Sequence, residues 1–486
     1  MARPSTPSGS APTRVYPLRM TFSRSHEQSP YKPIEAFYAH EGGEPLANAF
    51  AGRRGVHPFV GMTPVPEHQW ARVWTEMTAG PRTGRSVAYI HVPFCESHCL
   101  FCGFYQNAWH EPLGGRYVDT LIGHLKRDRD RSYQAEGPIR AVYLGGGTPT
   151  LLSIHDLARA VAAVREYLPL ASDCEITVEG RARDLDADKA HALFDAGVNR
   201  LSIGVQSFDE DVRRRLGRKT DRAELIRRLE DLMAADRGAV VIDLIYGLPG
   251  QSLSVWEEDV RTAVGLGLDG VDLYALKLMP QTPLGGAVRS GRLSPAAVES
   301  HGSFYARGAE LMEASRWEAL SSSHWRSGTR ERNLYNLEVK GGADCLAFGA
   351  GAGGFLGGHS YRILADVSEH AEHLHQRKPL LGGLMRQSPH HRLLNSIKGD
   401  LERGRLDIRA TGERLAAATG LDLERIAGPL LGQWERSGLL IRDGRWLELT
   451  LAGRFWQVAL TQNLLEWLDQ IIRDGPVLVD RPAALT

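Results

Sequence analysis

Three cysteines lie within one short stretch of this chain, at Cys95, Cys99 and Cys102. Their C-x₃-C-x₂-C spacing places three thiolates on one loop, close enough to bind three irons of a single [4Fe–4S] cluster, for which thiolates are the usual protein ligands. No fourth cysteine is near, because the remaining two are Cys174 and Cys345. The fourth iron would therefore stay open to a small molecule, which indicates chemistry rather than electron transport alone.

A zinc loop is the alternative for these cysteines. Zinc sites usually take four ligands with paired C-x₂₋₄-C or H-x₃₋₅-H spacing, and His91 and His98 could complete such a set. We favour the cluster. Cys174 and Cys345 are far apart in sequence, and we expect buried thiols rather than a disulfide. This use of cysteine is typical of a reducing compartment.

Composition restricts the classes of protein to which the chain can belong. Its 486 residues suffice for two or three domains, and 42% hydrophobic residues can form a large core. A formal net charge of zero gives no indication of nucleic acid or an acidic membrane surface as a partner. Residues 1–30 lack a signal-peptide pattern, and no run of about 18 apolar residues could span a membrane. We therefore expect a cytoplasmic protein without nucleic-acid or membrane partners.

Residues 86–290 alternate between short apolar runs and amphipathic helical segments. The alternation predicts an α/β fold with a parallel sheet and outer helices, and six repeats predict a partial (β/α)6, TIM-like barrel. Ligands of such barrels bind at the C-terminal ends of the strands. The predicted domains are an extension over residues 1–80, flexible to about residue 30 and then ordered, a core with an accessory segment over residues 81–375, and a C-terminal domain over residues 376–486.

The C-terminal domain is predicted to be small and winged-helix-like. Helical segments are followed by two apolar runs that flank Asp443-Gly444, a strong hairpin signal. A winged helix could bind DNA, but the chain has no basic excess. We therefore favour a lid or scaffold role.

Four of the predicted strands end in polar or glycine-rich segments. Glycines let a backbone approach a ligand closely, a carboxylate accepts from hydroxyl or ammonium groups, an amide reads base or ribose edges, and arginine pairs with carboxylates. Any one of them alone would also suit an ordinary strand end. In chain order they are Gly145-Gly146-Gly147-Thr148, Glu179, Gln206 with Arg218 twelve residues later, and Asp243.

The cysteine spacing and the order of these segments resemble the radical S-adenosylmethionine (SAM) superfamily, in its coproporphyrinogen-oxidase-like branch of HemN and HemW type. The resemblance covers about residues 86–460. It implies the radical SAM barrel, a [4Fe–4S] cluster on the three cysteines and two SAM molecules, the first bound to the open iron. It implies that Gln206, Arg218 and Asp243 are catalytic residues around the second SAM. The contacts that it implies for the SAM pair are Tyr89, Gly146, Gly147, Thr148, Glu179, Gln206, Arg218, Asp243, Ala275 and Gly351.

Two shorter segments resemble a narrower group, the HutW/ChuW anaerobic heme-degrading radical SAM methyltransferases. They are residues 103–107, directly behind the cysteines, and the cation-rich residues 324–336. This resemblance implies heme as the substrate, with arginines pairing its propionates. Lys277 either faces a propionate or solvent, and His57 and His324 are candidates for an axial ligand of the heme iron. The predicted substrate-binding residues are Lys277, His324, Arg326, Arg330 and Arg332.

The same resemblance implies a reaction that needs no oxygen. A 5′-deoxyadenosyl radical from the first SAM takes hydrogen from the methyl group of the second, whose carbon then adds to a meso position of heme. The ring opens to a linear methylated tetrapyrrole and releases iron, with a low-potential flavodoxin or ferredoxin as electron donor. The alternatives are an oxygen-independent coproporphyrinogen III oxidase and a heme chaperone that passes heme on unchanged.

Overall fold

A computed structural model describes residues 32–53, 61–294 and 298–474 of the chain. From Lys32 onward the described residues belong to one compact unit. The flexible segment predicted for residues 1–30 lies outside the described residues, and so does His57.

Six parallel strands form the centre of the fold. They are β1 (Ser86–Val92), β2 (Ile139–Gly146), β3 (Leu170–Gly180), β4 (Arg200–Gln206), β5 (Ala239–Tyr246) and β6 (Gly270–Ala275). The strands are hydrogen-bonded in sequence order, each parallel to the next. Most residues of each strand are buried, as in strands covered on both faces, apart from the first four residues of β3 and the last two of β6. The predicted partial (β/α)6 barrel is confirmed.

Helices connect the strands and pack an apolar face on the outside of the sheet. They are α1 (Glu111–Arg127), α2 (Ile154–Tyr167), α3 (Ala187–Ala196), α4 (Arg222–Ala234) and α5 (Leu253–Gly265), with α6 (Val298–Ala314) after β6. Side chains of Ser153, Asp186, Asp221 and Ser252 accept a backbone N–H at the start of α2 to α5. These caps satisfy N–H groups that a helix leaves open and fix where each helix begins.

The sheet continues beyond the barrel on both sides. After β6 comes β7 (His324–Arg326), which is antiparallel to it. Next to β1 lies the parallel β8 (Asp344–Phe348), followed by an antiparallel set. That set is β9 (Gly353–Leu356), β10 (His359–Ile363) and β11 (Leu381–Arg386), with Thr63–Pro64 paired to β11. The N-terminal extension is thus hydrogen-bonded to the accessory strands.

The elements after β11 have the order of a winged helix. They are α7 (His391–Glu402), β12 (Arg405–Asp407), α8 (Ile408–Thr419), α9 (Leu423–Arg436), β13 (Leu440–Asp443), β14 (Trp446–Leu449) and the long α10 (Gln457–Asp474). Strands β13 and β14 form the predicted hairpin, in which Gly444 adopts a φ of +57° that favours glycine. Within the described residues, no helix combines the length and apolar character needed to cross a bilayer.

Candidate functional site

The cysteine loop leaves the C-terminal end of β1. Phe94–Cys95 forms a short strand beside Asn107–Ala108, so that the loop begins and ends at one place. The backbone N–H of Thr148 donates to the carbonyl oxygen of Phe94 at 2.8 Å. The glycine-rich end of β2 is therefore fastened directly to the cysteine loop.

Burial disfavours ionisation of the thiols in this loop, and a bound cation would favour it. Thr148 Oγ1 donates to Cys95 Sγ at 3.6 Å, and the N–H of Phe104 donates to Cys102 Sγ at 3.3 Å. Burial raises the pKa of Cys95 to about 11 and also raises the pKa of Cys102, and Cys99 raises both further. Bound iron supplies the positive charge that makes such thiols ionise.

The donor set fits an iron–sulfur cluster better than a zinc ion. Within the described ranges no three His, Cys, Asp or Glu side chains are gathered around one point as single-ion ligands. Ligands of a cluster each bind a different iron and need no such convergence. His98 stacks on Tyr105, with ring centroids 4.6 Å apart, and binds the Cys102 carbonyl oxygen. His91 also has other partners, which are described below. The three cysteines are therefore the residues that would hold the cluster.

The glycines after β2 are required by protein contacts at this end of the barrel. Gly146 has a φ of +112°, and a Cβ there would lie 2.3 Å from the His91 ring. A Cβ on Gly147 would lie 2.3 Å from the carbonyl oxygen of Phe94. The N–H of Gly146 donates to Glu179 Oε2 at 3.4 Å. The predicted SAM contacts Gly146, Gly147 and Glu179 are thus brought together.

His91 connects two further residues of the predicted SAM site. Its Nδ1 lies 2.9 Å from the Tyr89 hydroxyl, and its Nε2 lies 3.3 Å from Gln106 Oε1. The Gln106 amide in turn touches Gly351, where a Cβ would come within 2.9 Å of it. Burial lowers the pKa of His91 to about 4, so the ring is neutral at pH 7. Sequence reasoning missed Gln106 and considered His91 only for zinc, although its position two residues after Tyr89 puts both on one strand face.

Gln206 and Arg218 present buried polar atoms without protein partners. Neither Gln206 Oε1 nor Arg218 Nε has a hydrogen-bond partner among the described residues. A bulge at the end of β4 and a positive φ of 68° turn Gln206 out of the regular strand. A Cβ on Gly204 would lie 2.8 Å from the Gln206 amide and 3.6 Å from the Arg218 guanidinium. Buried unpaired polar atoms are costly, and a polar ligand would satisfy them.

Asp243 and Glu179 add carboxyl groups to the same interior. Burial raises the pKa of Glu179 to about 7. Burial raises the pKa of Asp243 well above its ordinary value, and nearby Asp272 and Glu179 raise it further. Since burial and like charge both oppose ionisation, a cationic ligand such as an ammonium or sulfonium would be stabilised beside them. Ala275, also predicted to contact SAM, ends the neighbouring strand β6.

Two tyrosines that sequence reasoning missed, Tyr143 and Tyr335, line the interior beside the predicted Tyr89. The rings of Tyr89 and Tyr143 are stacked at 6.4 Å, and Tyr335 lies 4.9 Å from Tyr143 and 6.2 Å from Tyr89. The only signal for Tyr143 was its position two residues before Gly145 on the inward face of β2. The interior therefore offers flat aromatic surface beside its polar groups.

His324 lies inside the barrel and not at its mouth, the end that carries the cysteine loop. We call the opposite end the base. Its Nε2 lies 3.0 Å from Glu331 Oε1, and its Nδ1 lies 2.9 Å from Asp272 Oδ2. Glu331 also accepts from Arg200 Nε at 2.9 Å. These acids raise the pKa of His324 to about 9 despite burial. Both ring nitrogens face carboxylates, so the geometry does not support His324 as an axial ligand of heme.

The three predicted propionate-binding arginines lie at the opposite end of the barrel from the cysteines. Arg326 pairs with Glu318 at 2.7 Å, Arg330 with Asp236 at 2.6 Å, and Arg332 with Asp173 at 3.3 Å. The reason is that β7 runs antiparallel to β6, with Arg326 opposite Gly270, the first residue of β6. The structure therefore does not bring these arginines to the candidate site. Lys277 does lie at the mouth, exposed, and has no ion pair among the described residues.

The chain is similar to known proteins in both sequence and fold. The sequence pattern of the Radical SAM superfamily matches residues 89–263. An anaerobilin synthase of Escherichia coli O157:H7 is 41% identical over 452 residues, which are 92% of this chain and 97% of that protein. The heme chaperone HemW of Bacillus subtilis is 32% identical over 56% of this chain and 71% of its own length. The solved structure of coproporphyrinogen III oxidase (HemN) from Escherichia coli superposes with a TM-score of 0.68 at 21% identity, over 82% of this chain and 93% of that one, and so shares the fold.

Proposed function

The chain belongs to the radical SAM superfamily and to the family of the anaerobilin synthase, and from this membership we propose that it opens heme without oxygen to a linear methylated tetrapyrrole. The observation that carries the proposal is the convergence at one barrel end of three cysteine thiols and the unpartnered polar atoms of Gln206 and Arg218. SAM cleavage needs such groups, and the identity to an anaerobilin synthase along nearly its whole length favours heme opening over a heme chaperone. Radical SAM enzymes use their cluster, once bound, to cleave SAM into a carbon radical.

We propose two neighbouring SAM sites at this end. Tyr89, Gly146, Glu179 and Gly351 are joined through His91 and Gln106 and would orient the first SAM, with Gly147 and Thr148 beside the cysteine loop. Gln206, Arg218 and Asp243 would hold the second, with Ala275 at the next strand end. An arginine beside a buried carboxyl suits a ligand that carries both a carboxylate and a sulfonium. The fixed donors position both molecules and exclude water.

An external reductant must reach the cluster. Cys99 lines a small pocket together with the exposed Lys219. Positive charge beside a redox site attracts an acidic partner. We therefore propose an acidic, low-potential donor of the flavodoxin or ferredoxin type. All five cysteines are free thiols, which supports a reducing compartment such as the cytoplasm.

The experiment is an anaerobic turnover. Protein reconstituted with iron and sulfide receives SAM, heme and a reductant, and the Soret band is followed together with product masses. The proposal predicts Soret loss with a methylated, iron-free linear tetrapyrrole, 5′-deoxyadenosine and S-adenosylhomocysteine. SAM cleavage with an intact, protein-bound Soret band would favour a chaperone. Turnover of coproporphyrinogen but not of heme would favour the decarboxylating oxidase.

A further inference from the structure

The mouth of the barrel carries an unusual concentration of exposed apolar side chains. Phe104 is 71% exposed, more than any other large apolar residue of the described part of the chain, and Leu278 is 38% exposed. Single exposed apolar residues are ordinary, but contiguous ones mark binding surfaces. These two residues come from different segments that meet beside the cysteine loop.

Direct contacts join the two segments. Gly103 is packed so closely against Met279 that a Cβ there would lie 2.3 Å from the methionine methyl carbon. The N–H of Leu284 donates to the carbonyl oxygen of Leu100 at 2.8 Å, which fixes the chain after β6 to the cysteine loop. Phe104 follows Gly103 and Leu278 precedes Met279, so these contacts place the two segments side by side; we call Phe104, Leu278 and Met279 the apolar rim.

The apolar rim adjoins the reacting groups. The backbone N–H of Phe104 lies 3.3 Å from Cys102 Sγ, one hydrogen bond from a cluster ligand. On the other side, Leu278 follows β6, whose end carries Tyr274 and Ala275. The side chain of Tyr274 is 39% exposed, so the interior is open at this point. A molecule resting on the rim would face both the cysteine loop and the interior.

We propose that the apolar rim is the platform on which the heme macrocycle rests. The inference depends on the proposed function, since it takes heme as the substrate. Heme is a flat apolar ring with two carboxylates at one edge, and the rim combines apolar side chains with the exposed ammonium of Lys277, directly before Leu278. Arg330 and Arg332 cannot bind the propionates at this site, because ion pairs hold both side chains at the base of the barrel.

Heme titration of the reconstituted enzyme, followed by anaerobic difference spectra, tests the platform. Phe104→Ala and Leu278→Ala should each weaken heme binding by about tenfold, as expected for losing most of one apolar contact. Phe104→Trp, which keeps a large apolar ring, should retain the heme affinity of the unmodified protein. The matched control is Ile441→Ala, which removes a side chain that is 57% exposed on the C-terminal hairpin and should leave heme affinity unchanged.

A second ligand separates the charge from the apolar contact. Lys277→Gln should weaken binding of heme, but binding of heme dimethyl ester, which lacks the carboxylates, should be the same for the variant and the unmodified protein. Phe104→Ala should weaken binding of both ligands. If Lys277→Gln weakens binding of heme and of heme dimethyl ester equally, Lys277 does not bind the propionates.

Other outcomes distinguish failure of the platform from failure of the proposed function. Heme opening by the unmodified enzyme, with unchanged heme affinity in Phe104→Ala and Leu278→Ala, would refute the platform alone. If Phe104→Ala instead changes the oligomeric state in sedimentation while heme affinity is constant, the rim contacts a second copy of the chain. An unmodified protein that neither binds nor opens heme would refute the proposed function itself.

Discussion

The two ends of the barrel use polar residues in opposite ways. At the mouth, Gln206 and Arg218 hold buried polar atoms for which the described protein offers no partner. Toward the base, Glu331 and His324, which is level with Asp243, are buried just as deeply, but each faces opposite charge within 3.0 Å. The charges toward the base compensate one another, although one nitrogen each of Arg200 and His324 has no hydrogen-bond partner in the described part of the chain. Pairing of opposite charges, rather than the number of charged residues, distinguishes this end from the mouth.

The difference has an energetic consequence. Removing one partner of a buried ion pair leaves the other charge uncompensated and is strongly destabilising, whereas an unpartnered buried group costs stability in the ligand-free protein. Substitutions at the base should therefore change stability first, and substitutions at the mouth should change ligand binding and turnover first. Five predictions test this division.

Cys99→Ala should abolish function completely. It removes one of three ligands from the loop, so we expect incomplete iron incorporation and no 5′-deoxyadenosine from SAM. Iron content, visible absorbance and product analysis measure this. Cys174→Ala, a buried thiol elsewhere in the chain, is the control and should keep the full cluster. SAM cleavage by Cys99→Ala with a full cluster would show that Cys99 is not a ligand.

Glu331→Gln should have the largest effect on stability. It leaves Arg200 and His324 without their shared carboxylate in the interior, which costs about 3–5 kcal/mol for a buried pair. Chemical denaturation measures the free energy of unfolding. The control is Glu318→Gln, which breaks the more exposed pair with Arg326 and should cost less than about 1 kcal/mol. A similar loss in both variants would mean that the base network contributes no more than a surface pair.

The same network predicts how stability depends on pH. Arg200 and His324 lower the pKa of Glu331 to about 2, below its ordinary 4.5, so its contribution is complete above pH 4.5 and is lost as pH falls toward 2. The pKa of His324 is raised from 6.5 to about 9, so its contribution is complete below pH 6.5 and is lost as pH rises toward 9. The stability difference between the unmodified protein and Glu331→Gln should therefore be largest between pH 4.5 and 6.5. A difference that is constant from pH 3 to 9 would contradict this assignment of charges.

Arg218→Ala should separate function from folding. Because Arg218 Nε has no hydrogen-bond partner among the residues that the structure describes, loss of this side chain should leave the melting temperature nearly unchanged. Loss of a charge-assisted contact to the second SAM should lower methyl transfer by about 10- to 100-fold, or about 1.4–2.7 kcal/mol. Heme affinity should be retained. Equal loss of methyl transfer and heme binding would show that the second SAM is misplaced in our proposal.

Much of this division could be predicted from the sequence because its signals are local. The apolar runs predicted the six strands, and the cysteine spacing identified the loop. Gly146 and Gly147 were predicted to let the backbone approach a ligand, and in the structure they also make room for His91 and Phe94. Each of these depends on residues near in sequence or on strand periodicity. Barrel geometry then brings the strand ends together, which is why Glu179, Gln206 and Asp243 share one interior.

The parts that sequence reasoning missed depend on pairing between distant elements. Gln106 reaches His91 only because the cysteine loop folds back, and Tyr335 reaches Tyr143 only through a segment far along the chain. The cation-rich segment was assigned to the substrate because of its composition. Its antiparallel strand, β7, instead carries Arg330 and Arg332 to the base, and strand direction cannot be inferred from composition.

The smallest effect is expected for Arg330→Gln combined with Arg332→Gln. Both arginines are partly exposed and paired with Asp236 and Asp173, so the double variant should lose no more than about 1 kcal/mol per pair. Heme affinity should equal that of the unmodified protein, because neither side chain lies at the mouth. Heme titration and denaturation of the same samples measure both quantities. If heme binding weakens at unchanged stability, the sequence-based assignment of these arginines is correct, and the substrate extends to the base of the barrel.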